Sequence, residues 1–332
     1  MKKLYILSLF LVVALALSAL PLRILHTNDS HAAYQAGWDG KGGYLALEYH
    51  LEAARVEGIP TLYLDAGDMQ IGSIFSSLEY KGLRGGAILE VFERLSLDAA
   101  TLGNHEFDIS YAHAKTLVER AGFPFLSANL LEKDGSSFGR APYMLFKKGG
   151  LKVGVIGLTI ESLPLRVKSE NVQDLNILPY TEALNRILPE LKGKCDLIIL
   201  LTHNGLDEDI ELAKVLDDSI PLIIGGHSHI ATHEPQVVNG KYILSTGSHL
   251  QNLGIIDLDI EGGKIKELNS RLVPLTAPPT DYPSKLQGFM QETIGEMERA
   301  LAKPAGILPF AFEVNKYQET AGSRWVAEAL LK

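Results

Sequence analysis

The stretch Leu22-Arg23-Ile24-Leu25-His26-Thr27-Asn28-Asp29-Ser30-His31 joins a short apolar run to a polar cluster. A run of this length and composition reads as a buried strand, and its polar end as a loop at the strand's carboxyl edge. The pattern recurs along the chain. Thr61–Leu64 leads into Asp65-Ala66-Gly67-Asp68, and Ala99–Leu102 into Gly103-Asn104-His105-Glu106-Phe107-Asp108. Leu197–Leu201 leads into Thr202-His203-Asn204-Gly205, and Leu222–Ile224 into Gly225-Gly226-His227-Ser228-His229. Val153–Leu158 adds another strand. Helical patterns over Tyr44–Glu57, Gly86–Leu95, Tyr111–Ala121, Thr181–Leu191 and Asp207–Leu216 fall between the runs. Strand–helix alternation predicts an α/β core with mainly parallel pairing. In such a sheet the carboxyl ends of the strands are where ligands bind. A solvated loop explains one polar ending. It does not explain the same ending on run after run.

The residue types select the chemistry. Imidazole, carboxylate and carboxamide donors suit Mn, Zn, Fe or Co, and a chain whose lone cysteine is Cys195 has no thiolate site. The donors are too many for one tetrahedral ion. They suit two divalent ions about 3.5–4 Å apart, sharing a carboxylate, an arrangement that polarises a phosphoryl oxygen and activates water.

Composition narrows the rest. The 332 residues are 46% hydrophobic and 21% charged, the values of a globular protein of one large or two smaller domains. Lys and Arg number 31 against 40 Asp and Glu, a formal charge of -9, which gives no basic surplus for a nucleic acid polymer. Cys195 precludes an intrachain disulfide and is read as buried. Tyr242–Ser245, Gly254–Ile260 and Lys264–Leu272 read as a meander turning at Glu261-Gly262-Gly263. Pro274–Pro283 reads as a linker and Ser284–Leu301 as a polar helix.

The first residues are a separate object. Lys2 and Lys3 precede the apolar run Leu4–Leu20, and the small residues Ala16, Ser18 and Ala19 precede Pro21. Residues 1–19 read as a secretory signal peptide, so the expected location is periplasmic, cell-surface or secreted, with no stable membrane span after cleavage. No cysteine follows the run, which excludes a lipoprotein anchor.

Taken in order, Asp-x-His, Gly-Asp, Gly-Asn-His-Glu, a lone His and Gly-His-x-His resemble the calcineurin-like metallophosphoesterases. Leu25-His26-Thr27-Asn28-Asp29, Gly103 to Asp108, Phe125-Leu126-Ser127-Ala128-Asn129 and Gly225 to His229 resemble the 5'-nucleotidase family among them, over about Leu22 to Ile260. The resemblance implies a four-layer α-β-β-α sandwich. It implies that Asp29, His31, Asp68 and His229 hold one metal, and that Asp68, Asn104, His203 and His227 hold the other, with Asp68 bridging. His105 then faces the phosphate without ligating metal, and Asp108 orients its ring. His26 is read as a hydrogen-bonded structural residue, Asp65 as a loop tie, Glu106 as a loop anchor, and His50 and His113 as surface residues. His233 and His249 are read as outside the ligand set, a place at the mouth of the cleft being the alternative.

The expected organisation is a signal peptide at 1–19, a catalytic domain at 20–273, a proline-rich linker and helix at 274–318, and at 319–332 the start of a C-terminal domain. In two-domain relatives that domain grips the nucleoside. Here its first helix carries Trp325, Val326, Ala329 and Leu330 on one stripe, which either docks back or meets a domain supplied by a second chain. The expected function is hydrolysis of small phosphomonoesters, 5'-nucleotides in particular. The alternatives are a 2',3'-cyclic-nucleotide phosphodiesterase, a sulfur-ester hydrolase, or a metal-binding surface protein without catalysis.

Overall fold

In a computed structural model, which describes residues 19–304, 307, 311–313, 315 and 317–331, the expected strands and helices form two facing sheets. The leader expected at residues 1–19 lies outside the described residues except for Ala19. The order is β1 (Leu20–Thr27), α1 (Tyr44–Ala54), β2 (Thr61–Asp65), the hairpin β3 (Glu79–Tyr80) and β4 (Leu83–Arg84), α2 (Gly86–Arg94), β5 (Ala99–Thr101) and α3 (Tyr111–Arg120). Then come β6 (Phe125–Leu126), β7 (Leu130–Leu131), β8 (Tyr143–Lys148), β9 (Leu151–Thr159), β10 (Asn176–Ile177), α4 (Tyr180–Leu191), β11 (Leu197–His203), α5 (Leu206–Val215) and β12 (Leu222–Gly225). The chain continues with β13 (Gln236–Val238), β14 (Lys241–Leu244), β15 (Asn252–Glu261) and β16 (Lys264–Pro274), followed by α6 (Gln287–Leu301) and α7 (Ala321–Leu330).

The first sheet runs β16-β15-β1-β2-β5-β6 and the second β13-β14-β12-β11-β9-β8. Their facing sides supply one core, in which Ile24, Leu64 and Ile256 of the first sheet pack with Val155, Ile199 and Ile224 of the second. On the outer face of the second sheet, α4 contributes Ala183, Leu184, Ile187, Leu188 and Leu191 and α5 contributes Leu212 and Ala213. The i, i+4, i+8 spacing within α4 is what an amphipathic helix needs to cover a sheet. The chain is a mixed α/β protein of the four-layer kind expected. Register brings the chemistry together: Thr27 pairs with Asp65 between parallel β1 and β2. Thr202 pairs with Gly225 between parallel β11 and β12. Loops leaving these strands start side by side.

Of the meander expected over Tyr242–Leu272, the hairpin turning at Glu261-Gly262-Gly263 forms, but the meander's first strand lies elsewhere. β14 lies in the second sheet, parallel to β12, whereas β15 and β16 form a hairpin in the first, with Leu20 paired to Ile260. The segment 245–251 therefore crosses from one sheet to the other. Apolar alternation reports burial and carries no label for which of two facing sheets receives a strand. Pro274 ends β16, and Leu275 is buried, its peptide N–H donating to the Gln251 carbonyl. Two compact units divide the chain, up to residue 288 and from 289 onward. In the second, Thr320 and Ser323 cap α7 reciprocally, and Trp325, Val326 and Leu330 are exposed.

Candidate metal centre

Each expected donor sits where a strand ends. Asp29 and His31 follow β1, Asp68 follows β2, Asn104 and His105 follow β5, His203 ends β11, and His227 and His229 follow β12. Asp29, His31, Asp68, His227 and His229 all have positive φ, between 47° and 77°. Side-chain-bearing residues occupy that region at a cost, and persist there only where the surroundings over-determine the backbone. The space between loops is equally constrained: a Cβ on Gly226 would lie 2.8 Å from the Ala66 carbonyl and 3.0 Å from Asp29 Oδ2.

The donors converge. Asp29, His31 and His229 form one group that could hold an ion, and Asp68, His203 and His227 another; His105 joins His31 and Asp68 in a third. Asn104 Oδ1 lies 2.9 Å from His227 Nδ1. His31 Nδ1 and His203 Nδ1 lie 2.9 Å and 2.7 Å from the Ile71 and Ala66 carbonyls. A carbonyl only accepts, so both Nδ1 atoms carry hydrogen and a neutral ring offers its lone pair at Nε2. His203 Nε2 is buried without a hydrogen-bond partner, 3.0 Å from Asp68 Oδ2. His31 Nε2 lies 2.9 Å from His229 Nε2. Lone pairs and carboxylate oxygens crowded in this way call for a cation between them.

Electrostatics agree. Burial opposes charging His203, yet the Asp68 and Asp29 carboxylates override it and push the ring up to about 10, so the ring itself carries the positive charge that a bound cation would otherwise supply and must give up that proton to ligate. Burial would raise Asp68, but His203 and the other imidazoles hold it well below the usual carboxylate range. Burial lowers His31, and burial with the His203 charge lowers His227 to about 4, so these rings favour the neutral, ligating form. The site fits divalent metal ions.

His105 differs from the other rings. Its Nδ1 is held 2.6 Å from Asp108 Oδ2, and its peptide N–H donates to Asp68 Oδ1 at 2.8 Å. Hydrogen bonding to Asp108, against partial burial, raises His105 to about 9. Exposure grades the site: the side chains of Asp29 and His203 are 0% exposed, those of His105 and His229 35% and 42%. The His105 side is therefore open to a substrate.

Buried polar groups brace the loops. Glu106 accepts from the peptide N–H groups of Gly103, Asp68, Met69 and Gln70 at 2.7–3.3 Å, tying the β2 and β5 loops together as a loop anchor. Burial, with Asp68 nearby, raises its carboxyl to about 7. Asp65 accepts from Thr27 Oγ1 and the Gly67 N–H, as a loop tie. Sequence reading passed over Asn28, which donates to Asp29 Oδ2 and the Gly247 carbonyl while accepting from Thr246. It also passed over buried Asp209, which accepts from Thr202 and Asn204 on either side of His203.

The remaining histidines sort differently. His26 is buried as expected, but its Nδ1 has no hydrogen-bond partner, and its ring fills the space over Gly254. His50 and His113 lie partly exposed on their helices, within 3.2 Å and 3.0 Å of the Thr276 and Arg84 carbonyls. His233 is exposed. His249 stacks on His31 with ring centres 5.0 Å apart. Cys195 is half-buried, and burial pushes its thiol up.

Two facing sheets that deliver aspartate, histidine and asparagine to one seam define a metallophosphoesterase type of protein. The Calcineurin-like phosphoesterase family matches residues 22–231, and the chain belongs to that family of phosphoric ester hydrolases. A 5'-nucleotidase of Vibrio vulnificus is 29% identical over 293 residues, covering 76% of this chain and 51% of its own length. The metallophosphoesterase YunD of Bacillus subtilis is 26% identical, covering 93% of this chain and 65% of its own. Among solved structures, a 5'-nucleotidase precursor from Thermus thermophilus superposes with TM-score 0.71 at 27% identity, covering 85% of this chain and 59% of that one. The chain thus spans about half the length of its 5'-nucleotidase relatives.

Proposed function

We propose that the protein is an exported phosphohydrolase that binds two divalent ions and cleaves phosphomonoesters, 5'-nucleotides among them. The observation that carries this reading is the convergence of two donor groups beside a histidine already paired with its own carboxylate. Asp29, His31 and His229 would hold one ion and Asn104, His203 and His227 the other, with Asp68 bridging. Bound ions supply a polarised phosphoryl oxygen and a nucleophile at neutral pH.

The chain's own residues do the rest. Asp108 fixes Nδ1 of His105, leaving Nε2 to meet a phosphoryl oxygen or to protonate the departing alkoxide. The raised pKa favours the charged, donating form. Glu106 and Asn28 keep the ligand loops in place, so little reorganisation accompanies substrate binding. Export rests on the leader expected at residues 1–19. Residues 20–273 form the catalytic part on this reading, and 319–332 begin the domain that in relatives completes the substrate site.

A panel of phosphomonoesters, cyclic and linear diesters and sulfur esters, assayed with added Mn²⁺ or Co²⁺, tests the reading. Monoester turnover abolished by chelation is expected. Preference for a cyclic diester or a sulfur ester would replace the proposed substrate class, and metal binding without turnover of any ester would replace catalysis.

A further inference from the structure

The first turn of α5 carries Asp207, Glu208 and Asp209. Each suits the partial positive charge of a helix N-terminus. Asp207 and Glu208 do so from the surface, whereas Asp209 is 1% exposed. Helix stabilisation needs no such burial, and taking a carboxylate out of water is costly unless hydrogen bonds replace its hydration. Asp209 has those replacements. Its Oδ2 accepts from Thr202 Oγ1 at 2.8 Å and its Oδ1 from Asn204 Nδ2 at 3.2 Å. Thr202 and Asn204 are themselves buried, and they are the two chain neighbours of His203.

The carboxylate therefore grips the chain on both sides of a proposed ligand. The His203 ring is held separately, by Nδ1 against the Ala66 carbonyl at 2.7 Å. Asp209 also abuts the next strand. A Cβ on Gly225 would lie 2.4 Å from Asp209 Oδ2, so the end of β12 that leads to His227 runs directly against the carboxylate. Asp29 and His31 are braced from elsewhere, by Asn28 and by the Ile71 carbonyl.

We propose that Asp209 is a positioning residue for His203, and that its two side-chain hydrogen bonds set the affinity of one ion of the pair, the one His203 would share with Asn104 and His227. The inference deepens the two-ion phosphohydrolase reading and rests on it.

The test reads metal binding rather than turnover. Asp209→Ala is expected to weaken one Mn²⁺ per chain about 10–100-fold, the usual size of lost support behind a ligand, and to leave the other as in the wild type. Asp209→Asn can accept from Asn204 and donate to the Thr202 hydroxyl, so it should restore most of that affinity. In a His203→Ala background, Asp209→Ala should cost nothing further, whereas independent effects would add. Thr202→Val removes one of the two hydrogen bonds at nearly constant shape, and gives a smaller loss at the same ion should Asp209→Ala fail to fold. Equal weakening of both ions, unchanged affinity for both, no restoration by Asp209→Asn, or additive losses in the double variant overturns the proposal. Wild-type protein that binds fewer than two ions removes the two-ion reading alone, and the His203 ring then decides. Its buried Nδ1–H, donated to Ala66, gives a slowly exchanging proton resonance in the metal-depleted protein. Asp209→Ala should shift that resonance and leave the His105 Nδ1–H, donated to Asp108, in place. A shift upholds the positioning of His203, and an unmoved resonance overturns it.

Discussion

His105 Nδ1 and Asp108 Oδ2 stand 2.6 Å apart within one short helical turn, while the peptide N–H of the same His105 donates to Asp68. One residue therefore touches the bridging ligand through its backbone and leaves its ring free for the substrate. His105→Ala should keep metal content near normal and lower kcat by about 10²–10⁴-fold, the usual value of a positioned general acid. Nitrophenyl phosphate, whose leaving group needs no proton, should lose less. Asp108→Asn should give a smaller loss in the same direction. Elemental analysis showing that His105→Ala has lost metal would make His105 a ligand instead.

Among the described residues, Asp68 is the donor shared by the group with His31 and His105 and the group with His203 and His227. Asp68→Ala should therefore be the most damaging ligand change and should deplete both ions. Elemental analysis that finds two ions retained per chain in this variant would end the bridging assignment.

Glu106 gathers peptide N–H groups from both ligand loops. Glu106→Gln turns one acceptor into a donor facing those N–H groups. A buried donor left without a partner costs about 1–3 kcal/mol. Lost support behind a ligand costs about 10–100-fold in metal affinity. Thermal denaturation of the metal-free protein and metal titration of the folded protein measure the two effects separately. A variant unchanged in both would leave the loops held by other contacts.

His26 gives the protein an acid-labile point outside the metal centre. Burial lowers its folded pKa to about 3 from an ordinary 6.5. As pH falls from about 6.5 to about 3, the unfolded chain takes up a proton that the folded protein refuses, so stability is lost across that window. His26→Leu removes this titration, and its stability should fall less steeply over the same range. Parallel acid denaturation curves for the two proteins would show that another group governs.

What the sequence disclosed and what it concealed follow from distance along the chain. The donors were legible because each directly follows an apolar strand, and Asp65 and Glu106 because they stand beside ligands. Asn28 acts through Thr246, more than two hundred residues away, and no local pattern announces that pairing. Asp209 resembled one of three acids in the first turn of α5 until burial and two side-chain donors set it apart. The crossing between β14 and β15 was hidden because two facing sheets present the same apolar text.

The pairing of Leu20 with Ile260 makes the first sheet depend on a strand far along the chain. Every proposed donor lies at or before residue 229. At that point β1 has β2 beside it and an open flank, and Asn28 has no Thr246 to grasp. The flank closes only when the chain comes back from the second sheet, across a separation whose closure entropy must be met before any contact rewards it. A chain stopped before β15 would carry every ligand and still bind its ions loosely.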